Sequence, residues 1–357
     1  MSLPEFETDL WQYLARTDKP IVMYGMGNGA DKILAVCEHF GITVRDFFAS
    51  DGFVRGHCFH GKQVMHYADM VEKYGAGQFI VLLSFASSLP DVMANFYRIA
   101  SETELYAPDV PVCGNSLFDL AFYRRHLAEL EEADRLLSDE ESHRVFREVL
   151  SYKISGDIRH LRAAESNPAE VMRHILTPDR YRAYADLGAY NGDTIRALLP
   201  HALALKKVYA MEPDRRNFRK LEAYAAEETR CRVQCFAAGA WSHKDVLPFD
   251  ASGNRNAGLH GKSAKTVDTE VNSLDNILSG APVDFIKYDV EGAEREALIG
   301  SEQTIAQHRP QLLLSVYHRS EDLYALPLQL HRMRPDYRLY LRRFPYVPAW
   351  DLNLYAV

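Results

Sequence analysis

A glycine-bearing segment in the second half of the chain is followed, about 20 positions later, by an acidic residue. Residues 184–194 read Tyr-Ala-Asp-Leu-Gly-Ala-Tyr-Asn-Gly-Asp-Thr, and Glu212 lies in the segment Tyr-Ala-Met-Glu-Pro-Asp at 209–214. Nucleotide-binding βαβ units use this layout, in which the turn approaches the ligand and the acid accepts hydrogen bonds from the ribose. The spacing therefore predicts a nucleoside ligand with Glu212 at its ribose.

The charge of the glycine segment indicates which nucleoside ligand it suits. Asp186 and Asp193 lie on either side of Gly188 and Gly192. A pyrophosphate binds bare backbone N–H groups at a helix N-terminus, so two carboxylates there would repel a dinucleotide. S-adenosylmethionine is the common adenosine ligand that carries positive charge instead, on its sulfonium and ammonium groups. We therefore predict S-adenosylmethionine as the cofactor, with Asp186 facing its ammonium group.

The other positions of this segment are expected to line the same cofactor. Gly188 and Gly192 allow close backbone approach and torsions that a side chain would forbid. For Asp193 and Thr194, capping of the next helix is an equal alternative to ligand contact. The complete predicted cofactor set is Asp186, Gly188, Ala189, Tyr190, Asn191, Gly192, Asp193, Thr194, Glu212, Pro213, Ala238 and Asp289.

Two residues at the ends of later apolar strands are the candidates for catalysis. Asp289 closes a strand that begins near Val283, and His318 follows the run Leu-Leu-Leu-Ser-Val-Tyr. Because ligands of open α/β sheets bind beyond the carboxyl ends of the strands, both residues should lie near the transferred methyl group. His318 is the first choice of general base for an acceptor hydroxyl. Asp289, His318 and a further carboxylate are an alternative set of ligands for a divalent ion, but the sequence has no dense ligand cluster, so no metal is predicted.

The composition of the chain limits its other partners. The 357 residues carry a net charge of -8, which is the wrong sign for general attraction to nucleic acid. The five cysteines are scattered, as is typical of a reduced, cytoplasmic protein. No run of about 18 apolar residues is present, so no membrane span is predicted. We expect a small-molecule or glycan acceptor, and the oligomeric state is open.

The pattern of apolar segments predicts an α/β fold in three parts. Residues 1–115 alternate short strands and helices, as in a small Rossmann-like domain, and residues 116–178 are helical and charged, as in a connector. Residues 179–357 add strands that end in two closely joined segments, which indicates a Rossmann-like sheet with an antiparallel terminal strand pair. We expect this third part to hold a complete sheet by itself. The acceptor pocket should be built from the connector and from loops such as 249–272.

The motifs of the third part resemble those of the FkbM family of S-adenosylmethionine-dependent methyltransferases. They are Asp186-Leu-Gly-Ala-Tyr-Asn-Gly-Asp-Thr, Glu212-Pro with Asn217 and Leu221, Ala237-Ala-Gly-Ala-Trp, Asn272-Ser-Leu-Asp-Asn-Ile-Leu and Phe285-Ile-Lys-Tyr-Asp-Val-Glu-Gly-Ala-Glu. The resemblance covers about residues 181–357. It implies a class I methyltransferase fold and transfer of a methyl group to a hydroxyl oxygen of a sugar, polysaccharide or secondary metabolite. Tyr190 departs from the commoner small or Asn side chain at its position.

A second glycine loop near the N-terminus leaves other functions open. Gly25-Met-Gly-Asn-Gly-Ala follows the apolar segment Ile21–Tyr24, and Asp46 and Asp51 are its possible ribose ligands. Such a loop alone is weak evidence, and a scaffolding role is as probable as nucleotide binding. The alternatives are therefore a nicotinamide-dependent oxidoreductase that uses this loop, or an assembly protein that binds the cofactor without turnover. In the favoured interpretation, this domain helps to dock the acceptor.

Overall fold

The structure is a computed structural model that describes residues 2–54, 56–250 and 266–357. It contains two main β-sheets, one in each half of the chain, with helices packed on their faces. Most of the loop that was expected at 249–272 to help build the acceptor pocket lies outside the described residues.

The N-terminal sheet has six strands. Its central strand, β1, is buried along its whole length because its side chains pack into apolar clusters on both faces of the sheet. The strand order across the sheet is β3-β4-β2-β1-β5-β6, and all neighbours pair in parallel except β3 and β4. The strands are β1 Ile21–Tyr24, β2 Val44–Phe48, β3 Cys58–Phe59, β4 Lys62–Met65, β5 Ile80–Leu83 and β6 Glu104–Tyr106.

Helices cover the N-terminal sheet and lead into a helical middle segment. Those of the N-terminal part are α1 Leu10–Leu14, α2 Asn28–His39, α3 Tyr67–Tyr74 and α4 Pro90–Glu102. Those of the middle segment are α5 Leu120–Arg125, α6 Leu127–Arg135, α7 Glu140–Ser155, α8 Ile158–Ala163 and α9 Pro168–Glu170. A π-helical turn at Val171–Ile175 and a 3-10 turn at Pro178–Arg180 follow, and a short 3-10 turn at Asp51–Phe53 lies after β2.

The C-terminal sheet has seven strands in the order β15-β16-β14-β13-β7-β8-β9. Five of them are parallel, whereas β16 runs antiparallel to both β14 and β15. The predicted fold class, a Rossmann-like parallel sheet closed by an antiparallel terminal pair, is therefore confirmed. The strands are β7 Ala183–Leu187, β8 Lys207–Met211, β9 Arg232–Phe236, β13 Phe285–Tyr288, β14 Gln311–Ser315, β15 Leu339–Arg343 and β16 Leu352–Ala356.

The remaining elements surround the C-terminal sheet. A small separate sheet has the order β10-β12-β11. Its strands are β10 Gly239–Ala240, β11 Asp245–Asp250 and β12 Thr266–Asn272. The helices are α10 Asp193–Leu198, α11 Arg215–Glu227, α12 Leu274–Leu278, α13 Glu294–Ile299, α14 Glu302–His308 and α15 Asp322–Met333. Among the described residues, none of the helices combines the length and apolar character that a membrane span requires.

The helical middle segment differs from a simple connector. Val145 and Phe146 of α7 belong to the same buried apolar core as Leu187 and Leu314 of the C-terminal sheet. Polar contacts join the same elements, since the Leu341 N–H of β15 donates to Ser142 Oγ of α7 over 2.9 Å. The segment 116–178 therefore covers one face of the C-terminal sheet, and the apolar core crosses the boundary that was expected near residue 178.

Candidate functional site

A cavity of about 590 Å³ lies at the carboxyl ends of β7, β8, β13 and β14. Open α/β sheets bind their ligands at this edge, because the loops that follow neighbouring strands leave a crevice there. The loop after β7 and the end of β8 line one side of the cavity, and aromatic residues after β14 and β15 line the other. Lys287, Asp289 and Glu291 of β13 and its following turn lie in the lining between these two sides.

Glu212 follows β8, lines the cavity and is only 6% exposed. One of its carboxylate oxygens accepts the Tyr190 N–H over 2.8 Å, and the other accepts the Asp214 N–H over 2.9 Å. Each oxygen has a second lone pair that can accept a ligand hydroxyl. Burial raises the pKa of Glu212 to about 7. Glu212 thus supports the glycine loop and presents two acceptors to a diol, as the sequence predicts for a ribose site.

The two loop glycines are required by contacts within the protein. Both have left-handed backbone torsions, with φ of +84° at Gly188 and +81° at Gly192. A Cβ atom would lie 1.9 Å from the Asp289 carbonyl oxygen at Gly188 and 2.4 Å from the Tyr224 ring at Gly192. Close packing of the loop against β13 and α11 therefore explains these glycines. Their contact with a cofactor stays a prediction.

Asp186 does not face the cavity, although the sequence predicts that it faces the ligand. Its side chain is fully buried in β7, is not part of the cavity lining, and lies 3.3 Å from Lys287 Nζ. Burial favours a neutral lysine, but the charges of Asp186 and Asp289 outweigh it and raise the pKa of Lys287. Lys287 lines the cavity as a buried cation, so Asp186 has a partner inside the protein. The predicted site does not include Lys287, although a lysine within the apolar run Phe-Ile-Lys-Tyr indicates a buried cation.

Asp289 lines the cavity at the carboxyl end of β13, and its role at a ligand stays a prediction. Its side chain is 33% exposed, lies 3.5 Å from Lys287 Nζ, and accepts a long hydrogen bond of 3.5 Å from the Tyr317 hydroxyl. Burial alone would raise the pKa of Asp289, but the positive charges of Lys287 and His318 outweigh it and lower that pKa. Asp289 is therefore an ionised hydrogen-bond acceptor that faces the cavity.

His318 lies behind Asp289 and is not part of the cavity lining. It is buried, and its Nδ1 lies 2.8 Å from Glu294 Oε1 while its Nε2 lies 3.5 Å from Asp289 Oδ1. Burial would lower the pKa of His318, but the charges of Glu294 and Glu291 outweigh it and raise this pKa to about 10. The expectation that His318 removes the acceptor's proton therefore meets two physical obstacles, because the imidazole is protonated and is shielded from the cavity.

A family model matches the part of the chain that lines most of this cavity. Residues 186–346 match the family model described as methyltransferase FkbM domain. The chain therefore carries an FkbM methyltransferase domain. The predicted family is confirmed, and the predicted cofactor, S-adenosylmethionine, is confirmed at the level of this methyltransferase family.

Solved structures are similar to the chain in fold. A methyltransferase FkbM from Methylobacillus flagellatus KT has 21% identity and a TM-score of 0.71, and the match covers 97% of this chain and 92% of that one. An Aeropyrum pernix fibrillarin with natively bound S-adenosyl-L-methionine has 13% identity and a TM-score of 0.32, over 51% of this chain and 69% of that one. The first similarity supports the fold, whereas the second is too low to support any conclusion about this chain. No curated protein sequence is significantly similar to this chain.

The cavity of the FkbM domain includes part of the predicted cofactor set. The members that line it are Gly188, Tyr190, Asp193, Thr194, Glu212, Pro213 and Asp289. The members outside its described lining are Asp186, Ala189, Asn191, Gly192 and Ala238. Gly239 and Ala240 of β10 line the cavity directly after Ala238. Gly192, and not Asp193 or Thr194, is the N-cap of α10, so the capping alternative is not what the structure shows.

Backbone strain is concentrated at this cavity. Tyr190, Glu291 and Asp351 line it, and all three have left-handed torsions, with φ of 48°, 52° and 57°. Such torsions are costly for residues other than glycine and persist only where the surrounding structure holds them. In the described part of the chain there are three other such residues: His60 lies in the turn between β3 and β4, and Ser279 and Arg309 end helices. Three of these six residues therefore lie at the cavity, which supports a functional site there.

The side of the cavity away from Glu212 is aromatic and receives a residue from the N-terminal half. The Trp350 ring lies 6.5 Å from the Tyr317 ring and 5.6 Å from the Tyr346 ring, measured between centroids. Val112, in the segment after β6, also lines the cavity. Lys32 of α2 holds this segment by donating to the Val112 carbonyl over 2.9 Å.

Near the N-terminal glycine loop, each of the two candidate ribose ligands already contacts another side chain of the protein. Asp46 lies within β2 and binds Lys73 over 2.8 Å, and Asp51 lies 2.9 Å from His66 Nδ1. A Cβ atom at Gly25 would lie 2.6 Å from Ser84 Oγ, so packing also explains that glycine. A smaller cavity of about 250 Å³ lies beside this loop and shares the lining residues Val112 and Trp350 with the larger one.

Proposed function

We propose that this protein transfers a methyl group from S-adenosylmethionine to a hydroxyl oxygen of a sugar, polysaccharide or secondary metabolite. The observation that carries the proposal is the place of Asp289, which lies in the cavity lining between the Glu212 side and the aromatic side. An ionised carboxylate at this position can accept a hydrogen bond from an acceptor hydroxyl and aim its oxygen at the methyl group.

The Glu212 side has the features that the cofactor needs. Two carboxylate oxygens with spare lone pairs suit the two ribose hydroxyls, and the cavity is within the usual size range for ligands of this size. Tyr190 and Pro213 would flank the nucleoside, and Asp193 would add negative charge near a cationic ligand. When bound, S-adenosylmethionine supplies an electrophilic methyl group, and its sulfur keeps the electron pair of the broken bond.

The protein's contribution to the step is to position the acceptor and take its proton. Asp289 would accept the hydroxyl hydrogen bond and then the proton as the new oxygen–carbon bond forms, and the proton would pass from Asp289 to solvent. Lys287, 3.5 Å away, would keep Asp289 ionised between turnovers. His318 lies behind Asp289, so we assign it a positioning role instead of the role of general base.

The aromatic side of the cavity would suit an acceptor that has several hydroxyl groups and no negative charge. The rings of Tyr346 and Trp350 offer flat apolar faces, while Asp289, Glu291 and Asp351 offer acceptors for hydroxyl groups and would repel an anion. Val112 extends this side from the N-terminal half, which we therefore propose helps to dock the acceptor in a cytoplasmic enzyme.

The proposal is tested by transfer of a labelled methyl group. The purified chain, incubated with methyl-labelled S-adenosylmethionine and a small-molecule and glycan extract, should label an acceptor, and NMR of the product should show an O-methyl group. Asp289→Asn should lower the rate by about 10²-fold or more, a larger factor than any loss of S-adenosylhomocysteine affinity. An N-methyl or C-methyl product would contradict the proposal, and so would a full rate in the variant.

A further inference from the structure

A cluster of carboxyl groups surrounds His318 beneath the cavity. His318 Nε2 lies 3.5 Å from Asp289 Oδ1 and 3.6 Å from Glu291 Oε2, while Nδ1 lies 2.8 Å from Glu294 Oε1. These distances leave Nε2 without a hydrogen-bond partner among the described residues, although its side chain is only 1% exposed. A buried ring nitrogen without a partner is costly, so a group that binds it would be stabilising.

Several carboxylate oxygens of the cluster also have no hydrogen-bond partner among the described residues. They belong to Glu291, Glu294 and Asp322. The nearby cations balance them only in part, because the one positive charge of His318 is shared among Asp289, Glu291 and Glu294, and Lys287 is shared between Asp186 and Asp289. A concentration of buried negative charge with unused lone pairs is a suitable environment for a cation.

We propose that Asp289, Glu294 and His318 bind a divalent cation. One ligand atom from each of the three residues lies within 4.8 Å of the other two. Octahedral ligand atoms at about 2.1–2.4 Å from an ion are separated by such distances. Two carboxylates and an imidazole favour a first-row transition cation such as Mn²⁺ over Mg²⁺ or Ca²⁺, which take oxygen ligands. The ion would replace a proton on Nε2 and add positive charge.

The cation would lie at the floor of the proposed active site. Asp289 and Glu291 line the cavity, with side chains that are 33% and 26% exposed, whereas Glu294 and His318 are buried behind them. Only the cavity side is therefore open to a further ligand. This role rests on the proposed function: the ion would bind the acceptor hydroxyl and lower its pKa, the Asp289 oxygen that does not bind the ion would take the proton, and the acceptor oxygen would take the methyl group.

The test is Mn²⁺ binding to the full chain after dialysis against a chelator. Loss of the free Mn²⁺ signal in electron paramagnetic resonance should give one saturable site per chain. Glu294→Gln and His318→Gln should weaken Mn²⁺ binding by about tenfold or more, whereas Glu302→Gln, an exposed glutamate on α14, should leave it unchanged. Wild-type protein without a saturable site, or ligand variants with unchanged Mn²⁺ affinity, would overturn the proposal.

Two further measurements keep the outcome clear. If the buried variants do not fold, Asp289→Asn changes a partly exposed side chain, and unchanged Mn²⁺ affinity in that variant would overturn the site. S-adenosylhomocysteine titrations separate this proposal from the proposed function. Nucleoside binding without any Mn²⁺ site would overturn the metal inference alone, whereas an intact Mn²⁺ site without nucleoside binding would support the site and contradict the methyltransferase assignment.

Discussion

At the scale of single residues, Glu212 connects the fold to ligand affinity. Burial raises its pKa to about 7, with Asp214 also raising it and Lys287 lowering it. The ribose hydroxyls donate to the carboxylate form, so ligand binding favours the deprotonated residue. Affinity for S-adenosylhomocysteine should therefore be full above about pH 7 and should fall by up to about tenfold per pH unit as the pH decreases below it.

Calorimetric titrations at several pH values check this prediction. Glu212→Ala should bind at least about tenfold more weakly than wild type at pH 8, because charge-assisted hydrogen bonds are lost, and its affinity should not depend on pH in the neutral range. Glu227→Ala changes an exposed glutamate on α11 and should keep the wild-type profile. A flat wild-type profile together with full affinity in Glu212→Ala would mean that the ribose is held elsewhere.

At the scale of elements, one buried hydroxyl contributes to the contact of α7 with β15. Ser142 Oγ accepts the Leu341 N–H over 2.9 Å and an Arg342 N–H over 2.8 Å. Ser142→Ala would leave both donors buried without that partner and should lower the free energy of unfolding by about 1–3 kcal/mol. Ser151→Ala removes only a bond to the Arg147 carbonyl of the same helix and should cost less in urea unfolding. Equal losses in the two variants would argue against a specific role of the α7–β15 contact.

The elements themselves were largely predictable from the sequence. Short apolar runs such as Ile21–Tyr24 and Phe285–Tyr288 are buried strands, because packed elements cover both faces of each parallel sheet. The partner of Asp186 was not predictable, because it depends on strand register. Lys287 stands directly beside Asp186 in the β13–β7 pair, although 101 positions separate them along the chain. The burial of His318 was not predictable either, because it depends on the path of the chain after β14, and no local sequence pattern specifies that path.

At the scale of the whole molecule, the two halves of the chain share buried surfaces. The core of the N-terminal sheet includes Tyr152 and Leu161 of the middle helices and Val347 of the segment after β15. The Cys113 N–H donates to the His318 carbonyl over 2.9 Å, which attaches the segment that carries Val112 to the chain that follows β14 of the other sheet. The middle helices therefore pack against both sheets, and the cavity lining includes Val112 only when the N-terminal half is present.

A truncation series tests this arrangement. A chain that begins at Pro178 loses α5 to α9 and exposes the sheet face that Val145 and Phe146 cover, so it should aggregate and lack a cooperative unfolding transition. A chain that begins at Ser116 keeps those helices and should be less stable than the full chain, because Tyr152, Leu161 and Val347 become exposed. It should still bind S-adenosylhomocysteine, because Glu212 and the β7 loop keep their neighbours. Its methyl transfer should fall, since Val112 is missing from the acceptor side. Circular dichroism melts and nucleoside titrations of both chains decide the matter: a folded, nucleoside-binding chain from Pro178 would mean that the middle helices are dispensable for the methyltransferase sheet.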